Sequence, residues 1–127
     1  MSMKNEIHLQ GTAKTPEVIC TLAPFVLSLA GRSIPENSIE FYRPMMEWVD
    51  EHGASNEGQL EIKIRLEYFN TSSSKCLMDL LKRVEKVVSR AEVHWYYEEE
   101  DEDMLEAGED YNAIIDLPFR LIATESL

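Results

Sequence analysis

The clearest pattern in the chain is a strict alternation of apolar and charged residues from Leu60 to Phe69. Apolar side chains occupy every second position from Leu60 to Tyr68, and charged side chains lie between them. Successive side chains of a strand point to opposite faces, so this pattern predicts a strand with one buried and one wet face. A strand covered by helices on both faces would be apolar throughout. The alternation therefore favours a two-layer fold, with helices on one face of the sheet.

Helical periodicity begins after Asn70, where apolar residues recur at intervals of three and four and the basic residues lie away from them. The apolar stripe consists of Cys76, Leu77, Leu80, Leu81, Val84, Val87 and Val88. An earlier segment, from Ile34 to Gly53, has the same periodicity and carries polar capping residues at its start, so it also predicts a helix. Pro44 falls inside that segment, and the sequence leaves open either a kinked helix or two consecutive helices.

The remaining apolar segments are short, and most of them predict strands. They are a hairpin of Glu17–Leu22 and Phe25–Gly31 around an Ala23-Pro24 break, a strand or arm at Ile7 and Leu9, strands at Val93–Tyr97 and Phe119–Ala123, and a short helix around Met104 and Leu105. Strand-helix-strand passages in one sheet cross over right-handed, so we expect the later strands to be parallel and the hairpin antiparallel. The prediction is an α/β fold, a two-layer mixed sheet of about five strands with helices packed on one face.

The length and composition are those of one domain. The chain has 127 residues, of which 44% are hydrophobic and 28% charged, and about two thirds of the unfolded surface of a chain this long is buried on folding. No linker rich in Gly, Ser or Pro divides it, so residues 1–127 are expected to form a single domain. The two cysteines, Cys20 and Cys76, lie in apolar runs and are expected to be reduced and buried.

The sequence predicts no membrane insertion and no secretion. No apolar run approaches the roughly 18 to 20 residues of a membrane-spanning helix. Residues 1–6 also lack the apolar stretch that a signal peptide carries near its start. The cytoplasm is therefore the expected compartment.

The charge of the chain is negative and concentrated in one segment. The formal net charge is −12, and acidic residues dominate the segment from Glu98 to Asp110, which has no basic residue. Such a chain repels nucleic acids and anionic lipids, so neither is expected as a main ligand. A concentrated negative field suits basic protein surfaces or cations, and protein partners are the leading expectation.

Local motifs for catalysis are missing from the sequence. It contains no GxxxxGK, GxGxxG, HExxH or CxxC motif, and its three histidines are far apart. We therefore assign no catalytic residue, no cofactor and no metal ligand. One alternative function stays open, a small divalent-cation- or ligand-binding domain that uses the acidic segment 98–110 through residues such as Asp101 and Asp103. The spacing of that segment differs from the twelve-residue calcium loop.

The most informative segment is Asn70-Thr71-Ser72-Ser73-Ser74-Lys75, where the alternating strand ends and the helix begins. Asn, Thr and Ser are preferred helix caps, and capping explains one or two of these side chains. A phosphate on a hydroxyl here would meet free backbone N–H groups and the positive end of the helix dipole. The residues alone therefore leave two interpretations open, helix capping and a surface phosphorylation site.

Short motifs along nearly the whole chain resemble the SiaC family of bacterial regulatory phosphoproteins. They are Thr15-Pro16-Glu17, Pro35-Glu36-Asn37-Ser38, Phe41-Tyr42, Trp48, the run from Leu66 to Lys75, Trp95-Tyr96-Tyr97, Asp101-Glu102-Asp103-Met104 and Gly108-Glu109-Asp110-Tyr111. The fold of that family is similar to the STAS domains of anti-anti-sigma factors, in which the phosphorylated hydroxyl also follows a strand and opens a helix. The resemblance thus implies a STAS-like fold, in agreement with the hydrophobic pattern.

The same resemblance implies a partner-switching adaptor without catalytic activity. A cognate Ser/Thr kinase with a histidine-kinase-like ATPase fold would phosphorylate Thr71, and a metal-dependent protein phosphatase would reverse the reaction. The unphosphorylated form would bind and control a diguanylate cyclase or another effector. With the cyclase as effector, the output is cyclic di-GMP and biofilm formation. Ser72, Ser73 and Ser74 remain competing phosphate acceptors.

A partner that recognises the unmodified Thr71 must also contact its neighbours, and we expect these contacts to be Asn70, Ser72, Ser73 and Lys75. Lys75 is equally consistent with a solvated helix residue. Phosphorylation adds about −1.5 to −2 charges at neutral pH. Burying that charge against a surface shaped for a neutral hydroxyl costs several kcal/mol, and about 4 kcal/mol is a thousandfold in affinity. Phosphorylation is therefore expected to release the partner.

Overall fold

Six strands and three helices follow one another in residues 6–127, the part of the chain that the computed structural model describes. The strands are β1 (Ile7–Leu9), β2 (Glu17–Leu22), β3 (Phe25–Ser33), β4 (Leu60–Phe69), β5 (Ala91–Glu98) and β6 (Phe119–Thr124), and the helices are α1 (Ser38–His52), α2 (Thr71–Val87) and α3 (Glu102–Ile114). Residues 1–5, part of the segment considered above for a signal peptide, lie outside the described range. Within that range, no helix is long and apolar enough to cross a membrane.

The strands form one mixed sheet in which their spatial order is the order of the chain. Strands β1, β2 and β3 pair antiparallel, whereas β3, β4, β5 and β6 pair parallel, with one helix in each crossover. The predicted mixed α/β fold is therefore confirmed. The sheet has six strands rather than about five, because the arm at Ile7 and Leu9 pairs with β2 as an edge strand. Three residues are too few for a periodic signal, which is why the sequence left this strand uncertain.

The third strand continues beyond the glycine at which it was predicted to end. The register of β3 against β4 shifts between Gly31 and Arg32, and pairing then resumes as far as Ser33. Gly31 has a φ of 116°, in the range that residues with a side chain rarely adopt. The extension brings the backbone carbonyl of Ser33 within 3.1 Å of the amide nitrogen of Asn70, so the end of β3 contacts the start of α2.

The first helix runs without interruption through its proline. Residues Ser38–His52 form a single α-helix that includes Pro44, which lies on the exposed side. Two consecutive helices, one of the alternatives that the sequence left open, are therefore excluded. The start of the helix is capped by Asn37, whose side chain accepts a hydrogen bond of 3.1 Å from the amide of Glu40.

All three helices cover the same face of the sheet. The pairing registers align Leu27, Ile62 and Val93 in one row and Leu29, Ile64 and Trp95 in the next, and all six are fully buried. The charged positions of β4 lie on the other face, where they are partly buried or exposed. The prediction of one buried and one wet face is confirmed.

The two cysteines differ in their surroundings. Cys20 is fully buried on the helix-covered face, and burial raises the pKa of its thiol to about 12. Cys76 is only half-buried, which corrects the prediction that both thiols lie in the core. The apolar stripe of α2 is wider than the surface that α1 and the sheet cover. Cys76 lies at the edge of this stripe and therefore remains accessible to solvent.

The third helix is tied to the sheet by Trp95. The indole Nε1 of Trp95 donates a hydrogen bond of 3.0 Å to the carbonyl of Met104. Gly108 faces the same ring, because a Cβ atom placed on it would lie 2.7 Å from Cδ1 of Trp95 and 2.6 Å from Cδ2 of Leu121. This close approach of α3 to the sheet positions Tyr111 beside the first turn of α2. With 13 residues, α3 is longer than the short helix that the sequence predicted.

Candidate functional site at the start of the second helix

The start of α2 is held by Asn70, which is the N-terminal cap of the helix. Its side-chain Oδ1 accepts a hydrogen bond of 2.9 Å from the amide of Ser73, and its carbonyl accepts another of 2.9 Å from the amide of Ser74. The capping interpretation of the sequence is therefore correct for Asn70. A single residue satisfies the cap, so the hydroxyl groups that follow are not needed for it.

The first of those hydroxyls belongs to Thr71, which is exposed. Within residues 6–127 its side chain has no hydrogen-bond partner. The first turn of α2 also has no acidic residue, whereas α1 has Glu40 there and α3 has Glu102 and Asp103. The positive end of the α2 dipole is thus not compensated by a carboxylate of its own first turn.

Ser72 is also exposed, but its hydroxyl has two partners. It donates a hydrogen bond of 3.2 Å to Oδ1 of Asn70 and lies 2.7 Å from the hydroxyl oxygen of Ser38. Ser38 is the first residue of α1 and is nearly fully buried. The hydroxyl of Ser72 therefore links the starts of the first two helices.

Ser73 is fully buried, and its hydroxyl belongs to an internal network. It donates to the carbonyl of Ser33 at 3.0 Å and accepts a hydrogen bond of 2.9 Å from the hydroxyl of Ser33. The Ser33 hydroxyl in turn lies 2.7 Å from the phenol oxygen of Tyr42. Burial raises the pKa of Tyr42 to about 12, so this phenol is neutral at physiological pH. Ser73, predicted as a contact residue, has no exposed surface with which to touch a partner in this conformation.

Ser74 is half-buried and is bound by the third helix. The phenol of Tyr111 donates a hydrogen bond of 2.7 Å to the carbonyl of Ser74, and the two side-chain oxygens lie 2.9 Å apart. Burial raises the pKa of Tyr111, and its hydrogen bond with Ser74 acts in the opposite direction. All three serines that were competing acceptors are therefore engaged in hydrogen bonds, unlike Thr71.

Lys75 is exposed one turn after Thr71 and has no carboxylate partner within residues 6–127. The residues around Thr71 that can meet a partner directly are therefore Asn70, Ser72 and Lys75. Sequence reasoning missed Ser33, Ser38, Tyr42 and Tyr111, which hold the serines in place. No local pattern marks Ser33 as a polar partner, because the Ser73 hydroxyl that it contacts lies 40 residues away in the chain. Tyr42 joins the same network only through the hydroxyl of Ser33.

The acidic segment runs from the end of β5 into α3. Asp101 caps α3 by accepting a hydrogen bond of 3.0 Å from the amide of Met104. Glu98, Glu99, Glu100, Asp101 and Glu125 line a broad open cavity of about 580 Å³. In the part of the chain that the structure describes, no group of three or more His, Cys, Asp or Glu residues is arranged to hold a metal ion.

The histidines also do not converge. His94 lies in β5 with its Nε2 2.5 Å from a carboxylate oxygen of Glu92. His52 lies at the end of α1 beside Trp48, and His8 lies in the edge strand β1. These positions belong to different parts of the sheet and helices, so they do not form a nucleophile-activating group.

Comparison with known proteins assigns the chain to a family. The family model described as SiaC family regulatory phosphoprotein matches residues 9–124. The chain belongs to the SiaC family. It is also 32% identical over 122 residues to an uncharacterized protein of Pseudomonas aeruginosa strain UCBPP-PA14, an alignment that covers 94% of this chain and 97% of that protein.

Solved structures of SiaC share the fold. SiaC of Pseudomonas aeruginosa superimposes with a TM-score of 0.86 at 31% identity, covering 98% of this chain and 100% of that one. A second structure holds the diguanylate cyclase SiaD in complex with its activator SiaC from Pseudomonas aeruginosa. There the TM-score is 0.88 at 32% identity, covering 93% of this chain and 99% of the matched chain. The family resemblance inferred from the sequence motifs is confirmed.

Proposed function

We propose that this SiaC family protein is a non-catalytic adaptor whose binding to its partner is switched by phosphorylation of Thr71. A cognate Ser/Thr kinase with a histidine-kinase-like ATPase fold adds the phosphate, and a metal-dependent protein phosphatase removes it. The unphosphorylated form binds and activates a diguanylate cyclase. Support for the cyclase comes from SiaC of Pseudomonas aeruginosa, the activator of SiaD in a solved complex.

One observation carries the choice of Thr71. It is exposed and without a hydrogen-bond partner within residues 6–127, whereas the hydroxyls of Ser72, Ser73 and Ser74 are all engaged. A kinase must bring the acceptor hydroxyl to the γ-phosphate of ATP, and an unbonded surface hydroxyl reaches it without breaking an internal contact. Phosphorylation of Ser73 would instead require the buried network to open.

The surroundings of Thr71 also suit the modified form. The phosphate would lie at the positive end of the α2 dipole, with the ammonium of Lys75 one turn further along the helix. It would therefore be tolerated without unfolding the helix. Phosphorylation would instead weaken the complex, because a partner that closes over the neutral hydroxyl would have to accommodate about two negative charges.

Asn70, Ser72 and Lys75 are the proposed direct contacts around the switch. Ser73 has a different role in this proposal, because its buried hydroxyl fixes the first turn of α2 against β3. A partner would thus recognise a rigid surface, which lowers the entropy cost of binding.

The test of the acceptor is intact-mass analysis and phosphopeptide mapping after incubation with the cognate kinase and Mg-ATP. We expect one added phosphate, mapped to Thr71, and no addition to Thr71→Val, which keeps the side-chain shape. The matched control is Ser72→Ala, which should be phosphorylated as fully as the native chain. Full phosphorylation of Thr71→Val would overturn the assignment.

The test of the switch is a titration of SiaD from Pseudomonas aeruginosa with the unphosphorylated and the phosphorylated chain. We expect the unphosphorylated chain to bind and to raise cyclic di-GMP production, and the phosphorylated chain to bind about a hundredfold or more weakly. Equal affinity of the two forms would contradict the proposal, even if Thr71 is the acceptor.

A further inference from the structure

The open face of the sheet, defined as the side opposite the three helices, carries no helix within residues 6–127. Four of its strands, β3 to β6, run parallel. Parallel strands are usually covered on both faces. The open face has half-buried side chains such as Lys63, Arg65 and Tyr96, which form a continuous surface. The chemistry of these side chains decides which partner the face fits.

One row of the open face is basic. The pairing registers align Lys63 of β4 with His94 of β5, and His94 with Arg120 of β6. Within residues 6–127, neither Lys63 nor Arg120 has a carboxylate partner, and Nε2 of His94 lies 2.5 Å from a carboxylate oxygen of Glu92. In a chain with a formal charge of −12, this row provides a local field that favours the carboxylates of a partner.

The carboxyl ends of the same strands are acidic. Glu67 follows Lys63 by four positions in β4, and Glu98 follows His94 by four positions in β5. Residues an even number of positions apart in a strand point to the same face, so both carboxylates lie on the open face, about 13 Å along the strands from the basic row. The open face is thus complementary to itself, because a half-turn that reverses the strands brings the acidic end over the basic row.

The row between the basic and the acidic side chains holds the larger contact residues. Tyr96 of β5 pairs with Ile122 of β6, and both are half-buried. Arg65 of β4 lies beside them, with its guanidinium carbon 4.7 Å from the centre of the Tyr96 ring. Tyr and Arg are enriched among the residues that contribute most to binding. A two-fold axis along this row packs Tyr96 and Ile122 against the same residues of a second copy.

We propose that the open face binds a second copy of this chain, with the strands of the two copies antiparallel. In this dimer Lys63 of each copy meets Glu67 of the other, and His94 meets Glu98 of the other. The carboxylate of Glu67 also lies close to Arg65 of the facing copy, so it separates the two guanidinium groups near the symmetry axis. A two-fold contact of this kind is closed after two copies.

The dimer leaves the phosphorylation site free. Thr71 lies at the start of α2, in the helical layer on the other side of the sheet. Both copies therefore present Thr71 and its surroundings to solvent, and the dimer carries two switches. The inference goes beyond the proposed adaptor function and does not depend on it, because the contact includes no residue of α2.

The contact is expected to be weak. Six strands about 4.8 Å apart and about 20 Å long cover roughly 500 Å² in projection, so two such faces bury on the order of 1,000 Å². This area is the lower limit of a specific interface. The formal charge of −12 on each copy also opposes association. We therefore expect a dissociation constant of about 10–100 μM.

Sedimentation equilibrium at about 1–500 μM protein should show a monomer–dimer equilibrium of the native chain. Lys63→Glu and Glu67→Lys should each stay monomeric over this range, because each places like charges opposite one another twice in the dimer. A mixture of the two variants should dimerise about as the native chain does. The contact between the two variants again pairs opposite charges at both positions, and no other arrangement of the copies predicts this recovery.

Matched controls for the charge variants are Lys82→Glu on α2 and Glu109→Lys on α3, both at exposed positions of the helical layer. They make the same changes in net charge away from the open face. Each control should therefore dimerise alone, with a dissociation constant within about threefold of the native value.

Cross-linking at the symmetry axis tests the orientation without changing a charge. Ile122→Cys in a Cys76→Ser background places one thiol of each copy next to the axis, while Cys20 stays fully buried. A short bis-maleimide should then link two copies. The control is Ile114→Cys in the same background, at a 56% exposed residue of α3, and it should give about tenfold less linked dimer or lower.

A native chain that stays monomeric at about 500 μM would overturn the inference. Native dimerisation of either charge variant alone, or equal cross-linking of the two cysteine variants, would overturn it as well. None of these measurements involves the kinase or the cyclase, so a negative result leaves the proposed switch at Thr71 standing. Loss of the switch would in turn leave the dimer unaffected.

Discussion

The side chains of Ser33 and Ser73 are separated by 40 residues in the chain, and their hydroxyl oxygens lie 2.9 Å apart in a fully buried position. Ser33 ends β3 and Ser73 lies in the first turn of α2, so this pair joins the sheet to the helix that presents Thr71. Tyr42 extends the contact to α1. The surface around Thr71 is therefore fixed from inside the protein.

Removal of the Ser73 hydroxyl should destabilise the protein more than removal of the Thr71 hydroxyl. Ser73→Ala removes two buried hydrogen bonds, one to the carbonyl of Ser33 and one from its hydroxyl, and each of these groups keeps one other partner. The loss costs about 1–3 kcal/mol of the free energy of unfolding. Thr71→Val should change it by less than about 0.5 kcal/mol, because the hydroxyl has no internal partner. Urea denaturation followed by circular dichroism measures both, and equal losses for the two variants would contradict the network.

The double variant Ser33→Ala with Ser73→Ala tests whether the two hydroxyls act as a pair. Residues in direct contact show a coupling free energy of about 0.5–3 kcal/mol. The double variant should thus lose less stability than the sum of the two single variants. Strict additivity of the three unfolding free energies would show that the contact contributes nothing.

Tyr111→Phe should loosen the first turn of α2 from α3. The substitution removes the hydrogen bond from the phenol to the carbonyl of Ser74 while keeping the ring beside Trp95. The expected loss is about 1 kcal/mol of unfolding free energy, with faster hydrogen exchange at the amides of the first turn of α2. Tyr68→Phe, at a 50% exposed residue, is the matched control and should leave both measurements unchanged.

Gly108→Ala should destabilise the packing of α3 on the sheet. The added methyl group would lie 2.6 Å from Cδ2 of Leu121 and 2.7 Å from Cδ1 of Trp95, and the indole is held by its hydrogen bond to Met104. Overpacking of this kind costs about 1–3 kcal/mol. Asn112→Ala, at an exposed position of the same helix, should cost less than about 0.5 kcal/mol in the same urea titration.

Stability should fall at alkaline pH because two buried groups hold their protons in the folded state. Burial raises the pKa of Cys20 from 9.0 and of Tyr42 from 10.0, each to about 12. Between the ordinary and the raised values the unfolded chain has lost these protons and the folded chain has kept them. The free energy of unfolding is thus fully retained below about pH 9 and falls above it, by up to about 1.4 kcal/mol per pH unit for each group.

Tyr42→Phe separates one of these contributions. The variant has no phenol to titrate, so its stability should approach that of the native protein as the pH rises from about 10 toward 12. Urea titrations across that range measure the difference between the two proteins. A difference that stays constant with pH would show that the phenol of Tyr42 titrates normally in the folded state.

Much of the fold could be predicted from the sequence, because the signals that define it are local. The alternation from Leu60 to Phe69 and the apolar stripe of the following helix are properties of neighbouring residues, and both elements have the predicted positions. The right-handed crossover rule then gave the parallel pairing. The edge strand at Ile7–Leu9 and the extension of β3 to Ser33 were missed or left uncertain, because long-range pairing decides them.

The sequence by itself placed Thr71 at the start of a helix, since capping by Asn70 depends only on residues three positions apart. Capping and spacing alone left four adjacent hydroxyls as candidates, and only the resemblance to the SiaC family implied Thr71. Which of the four hydroxyls are engaged in hydrogen bonds depends on Ser33, Ser38 and Tyr111, residues that lie 34 to 40 positions away and come close only when three helices pack on one sheet.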